Sequence, residues 1–551
     1  MRLTLVKILP VAMTFCFLGS MALAQQSAPD LVMFNGKIFT SNSSLPYVEA
    51  LAIRGDRIVA LGTSKEVVAL ARKETRRIDL GGRTVIPGIN DAHVHLGVEP
   101  SHYDLPLKSN DPTWQEMTDA LTAAAPKVAK GTWIEGVFGT TILDDPHATK
   151  VALDALAPDD LVLLWDWTGH AFLLNTAAML KLGIREDEPN PVGGTFVRNR
   201  ADGKLTGMGF EYARVRITPP YVGLVSEDEA VSQLSSFFDG ATRLGITTLQ
   251  DMASDISADR CAALFQRAPP PVRVRVMWFG LSDEHGRITS EGRASNLHPS
   301  PLVTVSGTKW ILDGTPIEHS AAMRQPYTDR PSTSGELDFS ESEMESMLRE
   351  SLQRNEQLMV HVVGDRTIET FLNAMEATGG EKQWAQRRVR LEHGDGLMPD
   401  LVPRAKRLGV IVVQNPTHFT LGELFVKRFG EKRSQELLPV RSLLEAGIPV
   451  ALGSDGPLNP YLNIMLAASH PGNPKEAITR EQAVVAYTLT SAYAEFAEKD
   501  KGSLEAGKLA DFAVLSQDIF QVPARDLPKT QSVMTIVGGK IVYDAKVVAL
   551  R

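Results

Sequence analysis

Four histidines, one aspartate and one lysine carry the chemistry that this 551-residue chain can offer. His93 and His95 close the stretch VIPGINDAHVH, Val85 to His95. If that stretch is a strand, the alternation places Asp91, His93 and His95 on one face, with the imidazoles about 7 Å apart at the Cα level. Two imidazoles so placed can converge on one divalent ion, and neutral imidazole is the commonest protein ligand for such an ion. His361 and His393 each end an apolar or β-branched run, and Asp455 ends another in LGSDGP. Taken singly, strand-end histidines are usually just hydrogen-bonded, and an Asp before Gly-Pro is a turn former. Four of only 12 histidines fall on three predicted strand ends, however. If one barrel carries those ends, four imidazoles and a carboxylate face a common axis, a donor set suited to zinc. Lys309, in TKWILDG, sits inside an otherwise apolar strand, where a charged ammonium is costly. Desolvation favours a neutral amine that can take up carbon dioxide to form an anionic, metal-bridging carbamate. A lysine that snorkels or pairs with Asp313 fits the same residues.

The elements that must position these side chains follow from the apolar runs. After the His-x-His strand come Thr247 to Asp251, Val272 to Phe279, Thr308 to Gly314, Leu358 to Asp365, Val389 to Asp395, Val410 to Pro416 and Val450 to Gly456, with helical stretches between them. Eight such strands predict a (β/α)8 barrel, an α/β fold with its chemistry at the C-terminal strand ends. Asp251 and Gln414 are further polar residues at such ends. The long stretch between strands one and two, about 96–226, predicts a substrate-covering insertion. Residues 25–85 and 501–551 read as short strands with hairpin turns such as Asn35-Gly36 and Gly538-Gly539. Neither piece has enough strands for its own core, so the two are expected to form one small β-domain, leaving 86–500 as the barrel.

Composition sets outer bounds. With 43% hydrophobic and 22% charged residues the chain is an ordinary globular protein. A net charge of -9 and a pI near 5.8 offer no basic surface for nucleic acid. Residues 1–24 have the parts of a cleavable secretory signal: Arg2 and Lys7, the apolar stretch Ile8 to Leu18, and Ala22-Leu23-Ala24 before Gln25. The apolar stretch is short for a membrane anchor and is broken by Pro10 and Ser20. The mature protein, at a net -11, is expected to be secreted or periplasmic. Of the two cysteines only Cys261 survives cleavage, and it reads as a buried, inert thiol.

The runs PGINDAHVH, GTKWILDG, LMVHVVGDRTIE, VRLEHGD, VVQNPTHF, GIPVALGSDGP and GSLEAGKLADFAVL, in this order, resemble the amidohydrolase superfamily, in the branch that includes N-substituted formamide deformylase-like hydrolases. The resemblance implies a metal-dependent (β/α)8 barrel with a β-sandwich built from both termini. It makes His93 and His95 ligands of one metal, Lys309 a carboxylated bridging ligand, His361 and His393 ligands of a second, and Asp455 the strand-eight carboxylate. It also points to Gly169-His170 followed by Asn175, although Thr168 stands where the family has an acid. IEHSAAM after Gly314 departs from the family run, and His319 receives no role.

The expected reaction is hydrolysis of an amide or formamide-type C–N bond. A divalent metal, zinc in one or two copies, activates water, and Asp455 acts as general base and then acid. His170 is the candidate for holding the carbonyl or its oxyanion, with a structural histidine as the competing reading. Gln414 and Trp133 are candidate substrate contacts, with Glu211 beside them, and core packing explains such residues equally well. Trp133, Trp165, Trp167 and Phe172 in the insertion hint at an apolar or aromatic small-molecule substrate. Deamination or lactone hydrolysis on the same scaffold is the first alternative, although Val362-Val363-Gly364-Asp365 after His361 lacks the glutamate that a deaminase usually adds. A metal-free binding protein is the second, although all six site positions are filled. A homo-oligomer is compatible with the sequence.

Overall fold

The computed structural model describes residues 28–288 and 296–550; the signal expected at residues 1–24 lies outside them. Eight parallel strands form one sheet: β1 (Ile89–Val94), β2 (Ile246–Asp251), β3 (Arg273–Phe279), β4 (Val303–Ile311), β5 (Leu358–Val362), β6 (Arg390–His393), β7 (Ile411–Gln414) and β8 (Val450–Leu452). They pair in chain order from β1 to β8. β8 returns to β1 through an Asp455 N–H to His93 carbonyl bond of 2.9 Å. That approach is possible because residue 453 is glycine, since a Cβ there would lie 2.5 Å from both the His93 Cβ and its backbone nitrogen. The result is a TIM-like barrel.

The expected strand Val85 to His95 is two strands. Thr84–Pro87 belongs to a different sheet, where it pairs with Phe512–Leu515, and β1 starts after Gly88. A side chain at 88 would run into Thr247 Oγ1 at 2.1 Å, so the chain passes between the two sheets only as glycine. Thr84–Pro87 lies in a six-stranded sheet with residues 37–39, 47–48, 512–515, 532–537 and 540–544, so both ends of the chain contribute to it. A five-stranded sheet likewise joins residues 31–34, 50–54, 57–62 and 76–79 with 549–550. One apolar cluster, including Ile38, Leu51, Ile78, Val85, Phe512 and Ile536, is buried between the two sheets.

Residues between β1 and β2 form a third, six-stranded sheet, in the order 194–198, 205–211, 171–174, 161–166, 133–138 and 102–104. The helix Glu227–Arg243 then leads into β2. Ser226 and Glu229 close its first turn as a capping box, and Ala230, Leu234, Phe238 and Ala241 bury one face at three- and four-residue spacing. Each of the larger side chains contributes about 1.5–3 kcal/mol by burial. No described helix is long and apolar enough to cross a membrane.

The barrel interior is polar along one line. Lys501 pairs with Glu495 at 2.9 Å; Asn90 donates to Glu495 at 2.6 Å and accepts from Gln250 at 3.0 Å. Arg390 donates to Gln250 at 2.6 Å and to Glu392 at 2.7 Å. β1 and β2 are not neighbours of β6 in the sheet, so these bonds run across the barrel axis.

Candidate metal centre

β1 carries the first two histidines, but plain alternation is not what aims them. The pairing of β1 with β2 shifts register between Asp91 and Val94, a bulge that re-aims the side chains beyond it. Asp91 accepts the Ser454 N–H at 2.8 Å and is pushed up to about 7 by burial. This bond and the Asp455 N–H bond to His93 stitch the end of β8 to the end of β1. Asp455 takes a left-handed φ of 55°, and its Oδ1 comes 3.3 Å from His95 Nε2 and 3.6 Å from His93 Nε2.

The tautomers of both histidines follow from their partners. Burial would raise Glu392, but Arg390 and His93 hold it near 2. Glu392 is therefore an acceptor only, and His93 Nδ1–H donates to it at 2.7 Å. Ser254 Oγ lies 2.7 Å from His95 Nδ1 and 3.2 Å from Asp255 Oδ1; with its proton on Asp255 it accepts from Nδ1–H, the tautomer that a metal on Nε2 requires. In these tautomers both Nε2 atoms present lone pairs, 3.3 Å apart and beside the Asp455 carboxylate. Burial and the neighbouring Lys309 ammonium push His93 down to about 4, so neither proton nor hydrogen bond resolves that contact. Three acceptors converging on one point fit a divalent cation.

His361 and His393 complete the ring, with centroids 4.4 Å apart and His393 5.0 Å from His93. Burial, together with each other's charge for His361 and that of His93 for His393, holds both well below the ordinary histidine value. Each has a buried ring nitrogen without a partner, Nε2 of His361 and Nδ1 of His393. Lys309 is buried among them and is lowered by burial to about 8, against the pull of Glu392 and Asp455. Burial acts to raise Asp455, but His93, His95 and His393 outweigh it and hold the carboxylate well below its usual range.

His170, from the insertion, packs against His361 with ring centroids 4.6 Å apart and planes tilted by 45°, and bonds through Nδ1 to Glu211 Oε2 at 2.6 Å. Burial would lower it, yet the Glu211 charge and hydrogen bond, with Glu318 behind, raise it. The acid missing at Thr168 is replaced in space: the Thr168 hydroxyl bonds to Asp166 and, at 2.8 Å, to Glu318. Glu318 sits in the IEHSAAM run, and neighbouring His319 is tied to Asp329 at 3.2 Å. A cavity beside His170 is lined by Val215, Phe279, Leu281 and Ile311, with Arg214 and Ser254. A larger one of about 330 Å³ meets it at Ser254, Phe279 and Leu281.

Gln414 is fully buried, with neither amide atom partnered. Trp133 is placed elsewhere: it packs in the core edge-on against Tyr221 at 4.9 Å and lines neither cavity. Three residues went unassigned in the sequence. Glu392 and Arg390 adjoin His393 in VRLEHGD, and His418 lies in VVQNPTHF, stacked on His393 at 5.1 Å.

The amidohydrolase family model matches residues 76–543. The chain belongs to the amidohydrolase family. It is a hydrolase of carbon–nitrogen bonds other than peptide bonds. This amidohydrolase is 29% identical over 542 residues to the N-substituted formamide deformylase of Arthrobacter pascens, covering 94% of this chain and 98% of that one. It is 28% identical over 540 residues to Protein LONG AFTER FAR-RED 3 of Arabidopsis thaliana, covering 93% and 91%. In fold it resembles a metal-dependent hydrolase from Pyrococcus horikoshii, with a TM-score of 0.69 at 21% identity over 90% of this chain and 99% of that one.

Proposed function

We propose that this amidohydrolase cleaves an amide or formamide-type C–N bond of a small molecule, with His93, His95 and Asp455 holding a divalent ion and His361, His393 and Lys309 closing its shell. The observation that carries the reading is the meeting of two imidazole Nε2 atoms and a carboxylate oxygen, with both rings held from behind at Nδ1. Nitrogen and oxygen donors of this kind suit zinc. When bound, such an ion lowers the pKa of water and polarises a carbonyl.

The chain's own residues supply the rest. Asp455, the carboxylate at the end of β8, accepts the proton that the attacking water loses and delivers it to the departing nitrogen. His170, fixed by Glu211 on the insertion side of the ring, donates to the carbonyl oxygen as charge develops there. Gln414 offers an unspent amide to the substrate. The larger cavity that meets the His170 side at Phe279 and Leu281 has the room and the apolar lining for an N-substituent or acyl group, and the relative named as a formamide deformylase makes the formyl amide the first substrate to try. A neutral Lys309 is the group that carbon dioxide would convert to a carbamate. We further read residues 25–85 with 501–551 as one β-sandwich, 96–226 as the cover over the site, and 1–24 as the signal that sends the enzyme out of the cytoplasm.

The test is metal content per chain together with hydrolysis of a panel of N-formyl and N-acyl amines, for the wild type and Asp455→Asn. Wild type is expected to hold one or two zinc equivalents and to release amine, and the variant to lose about 10²–10⁴ in rate. A wild type that stays metal-free and inactive after reconstitution with zinc sinks the reading.

A further inference from the structure

Thr168 stands between two carboxyls to which the sequence reading gave no role. Its hydroxyl bonds to Asp166 Oδ2, at the end of the insertion strand 161–166, and at 2.8 Å to Glu318 Oε1, in the stretch that follows β4. The same oxygen accepts the backbone N–H of His170 at 3.3 Å, and the turn between them closes through a Gly169 N–H to Asp166 carbonyl bond of 2.8 Å. One hydroxyl carries one hydrogen, so Thr168 can donate to only one of the two acids. Asp166 is 1% exposed, and its Oδ1 is buried with no donor in reach. Glu318 Oε2 is already taken by the Thr315 hydroxyl. Two ionised carboxylates here would leave one oxygen at Thr168 without a hydrogen, beside a like charge. A proton on Asp166, directed at Glu318, removes both faults. Burial and the Glu318 charge push Asp166 well above the usual carboxylate range. Burial would raise Glu318 too, but the bond from Asp166 and the charge of His170 hold it below its ordinary value.

We infer that Asp166 and Glu318 share a single proton across Thr168 and act as positioning residues for His170, one locking the turn that carries the ring and the other keeping a negative charge beside it. Asp166 belongs to the insertion and Glu318 to the barrel, so the pair also ties the cover to the strand end that carries Lys309. His170 is then fixed by Glu211 at Nδ1 and by Thr168 at its backbone nitrogen. The inference rests on the reading of His170 as the donor to the carbonyl oxygen, and goes beyond it by naming what holds that donor in place.

The first measurement needs no substrate. Infrared difference spectra of full-length protein at neutral pH, wild type against Asp166→Asn and against Glu318→Gln, are expected to show the loss of one and the same protonated-carboxyl band. Each amide leaves the remaining acid ionised, because the amide NH2 and the Thr168 hydroxyl can both donate to it. Circular dichroism melting accompanies each variant. The second measurement is a double-mutant cycle, run on the amine of the panel above that wild type releases fastest. Glu318→Gln should lower kcat about 10–100-fold at unchanged metal content. In a His170→Ala background the same substitution should cost less than about twofold, since no donor is left to position. Thr168→Ser, which keeps the hydroxyl, should recover most of what Thr168→Val loses. Folded variants that keep the wild-type band overturn the shared proton, and losses from Glu318→Gln that multiply with those of His170→Ala overturn the positioning role. A His170→Ala enzyme as fast as wild type overturns the carbonyl role of His170 and this inference together, while metal-dependent hydrolysis stands. A wild type that hydrolyses nothing overturns the proposed function and the positioning role, and the infrared band still decides the shared proton.

Discussion

Glu392 Oε2 accepts a hydrogen bond from His93 Nδ1 at 2.7 Å, and that bond decides which nitrogen of His93 faces the ion. Glu392→Gln can turn its amide NH2 toward His93 and reverse the tautomer. It is expected to weaken metal affinity by about 10–100-fold, read by competition with a chromogenic chelator. Equal affinity in wild type and variant would remove Glu392 from the metal centre.

Burial lowers Lys309 from an ordinary 10.5 to about 8. Its folded value is lowered, so between those two values the unfolded state binds the extra proton and stability rises with pH. In metal-stripped protein, wild type should gain on the order of 3 kcal/mol between pH 7 and 11 from this group. Lys309→Met should lack that gain and be at least as stable at pH 7. Urea midpoints across the range decide it, and a parallel rise in both proteins would refute the assignment.

His170 shows the opposite sign. Its value is raised, chiefly by Glu211 against burial, so the pair's stabilisation is fully present below the ordinary histidine value and is lost as pH rises through the raised one. Glu211→Gln should therefore cost most stability near pH 5.5 and progressively less toward pH 9. Its kcat/KM should also fall by about tenfold or more, as His170 loses its anchor. A stability gap between the two proteins that stays constant with pH would contradict this.

Gly453 is where β8 touches β1. Gly453→Ala places a methyl group 2.5 Å from the His93 Cβ and backbone nitrogen, which must move. The expected cost is about 1–3 kcal/mol with a loss of bound metal. Thermal melting with metal analysis would test it, and full metal occupancy at wild-type stability would show that the seam yields.

Strand-end polarity was legible in the sequence because a parallel barrel strand is apolar until it reaches the active-site face. His93, His95, His361, His393 and Asp455 stand out against Val, Ile and Leu for that reason. The eight strands were legible too, although β4 starts at Val303, earlier than Thr308, because the glycine in VTVSG breaks the apolar run. Gly88 hid the change of sheet, since nothing local says that Thr247 will lie against it. Glu392 and His418 needed tertiary information: one acts across the barrel axis, and the other sits in a turn that no strand or helix period marks. Trp133 shows the converse, an aromatic in a long insertion whose sequence fits a pocket wall and a packed core equally well.

The line of bonds from Lys501 to His93 has a consequence for when the enzyme can mature. Asn90 and Glu495, two neighbouring links in it, are 405 residues apart in the sequence. Synthesis runs from the N-terminus, so the strand bearing His93 and His95 emerges early while the support beneath it is among the last parts to leave the ribosome. A nascent chain therefore carries two exposed imidazoles long before it can hold them in place. An ion at His93 and His95 would be held only once residues 495–501 are in place, so a C-terminal truncation that removes them is expected to weaken metal binding without removing a single ligand.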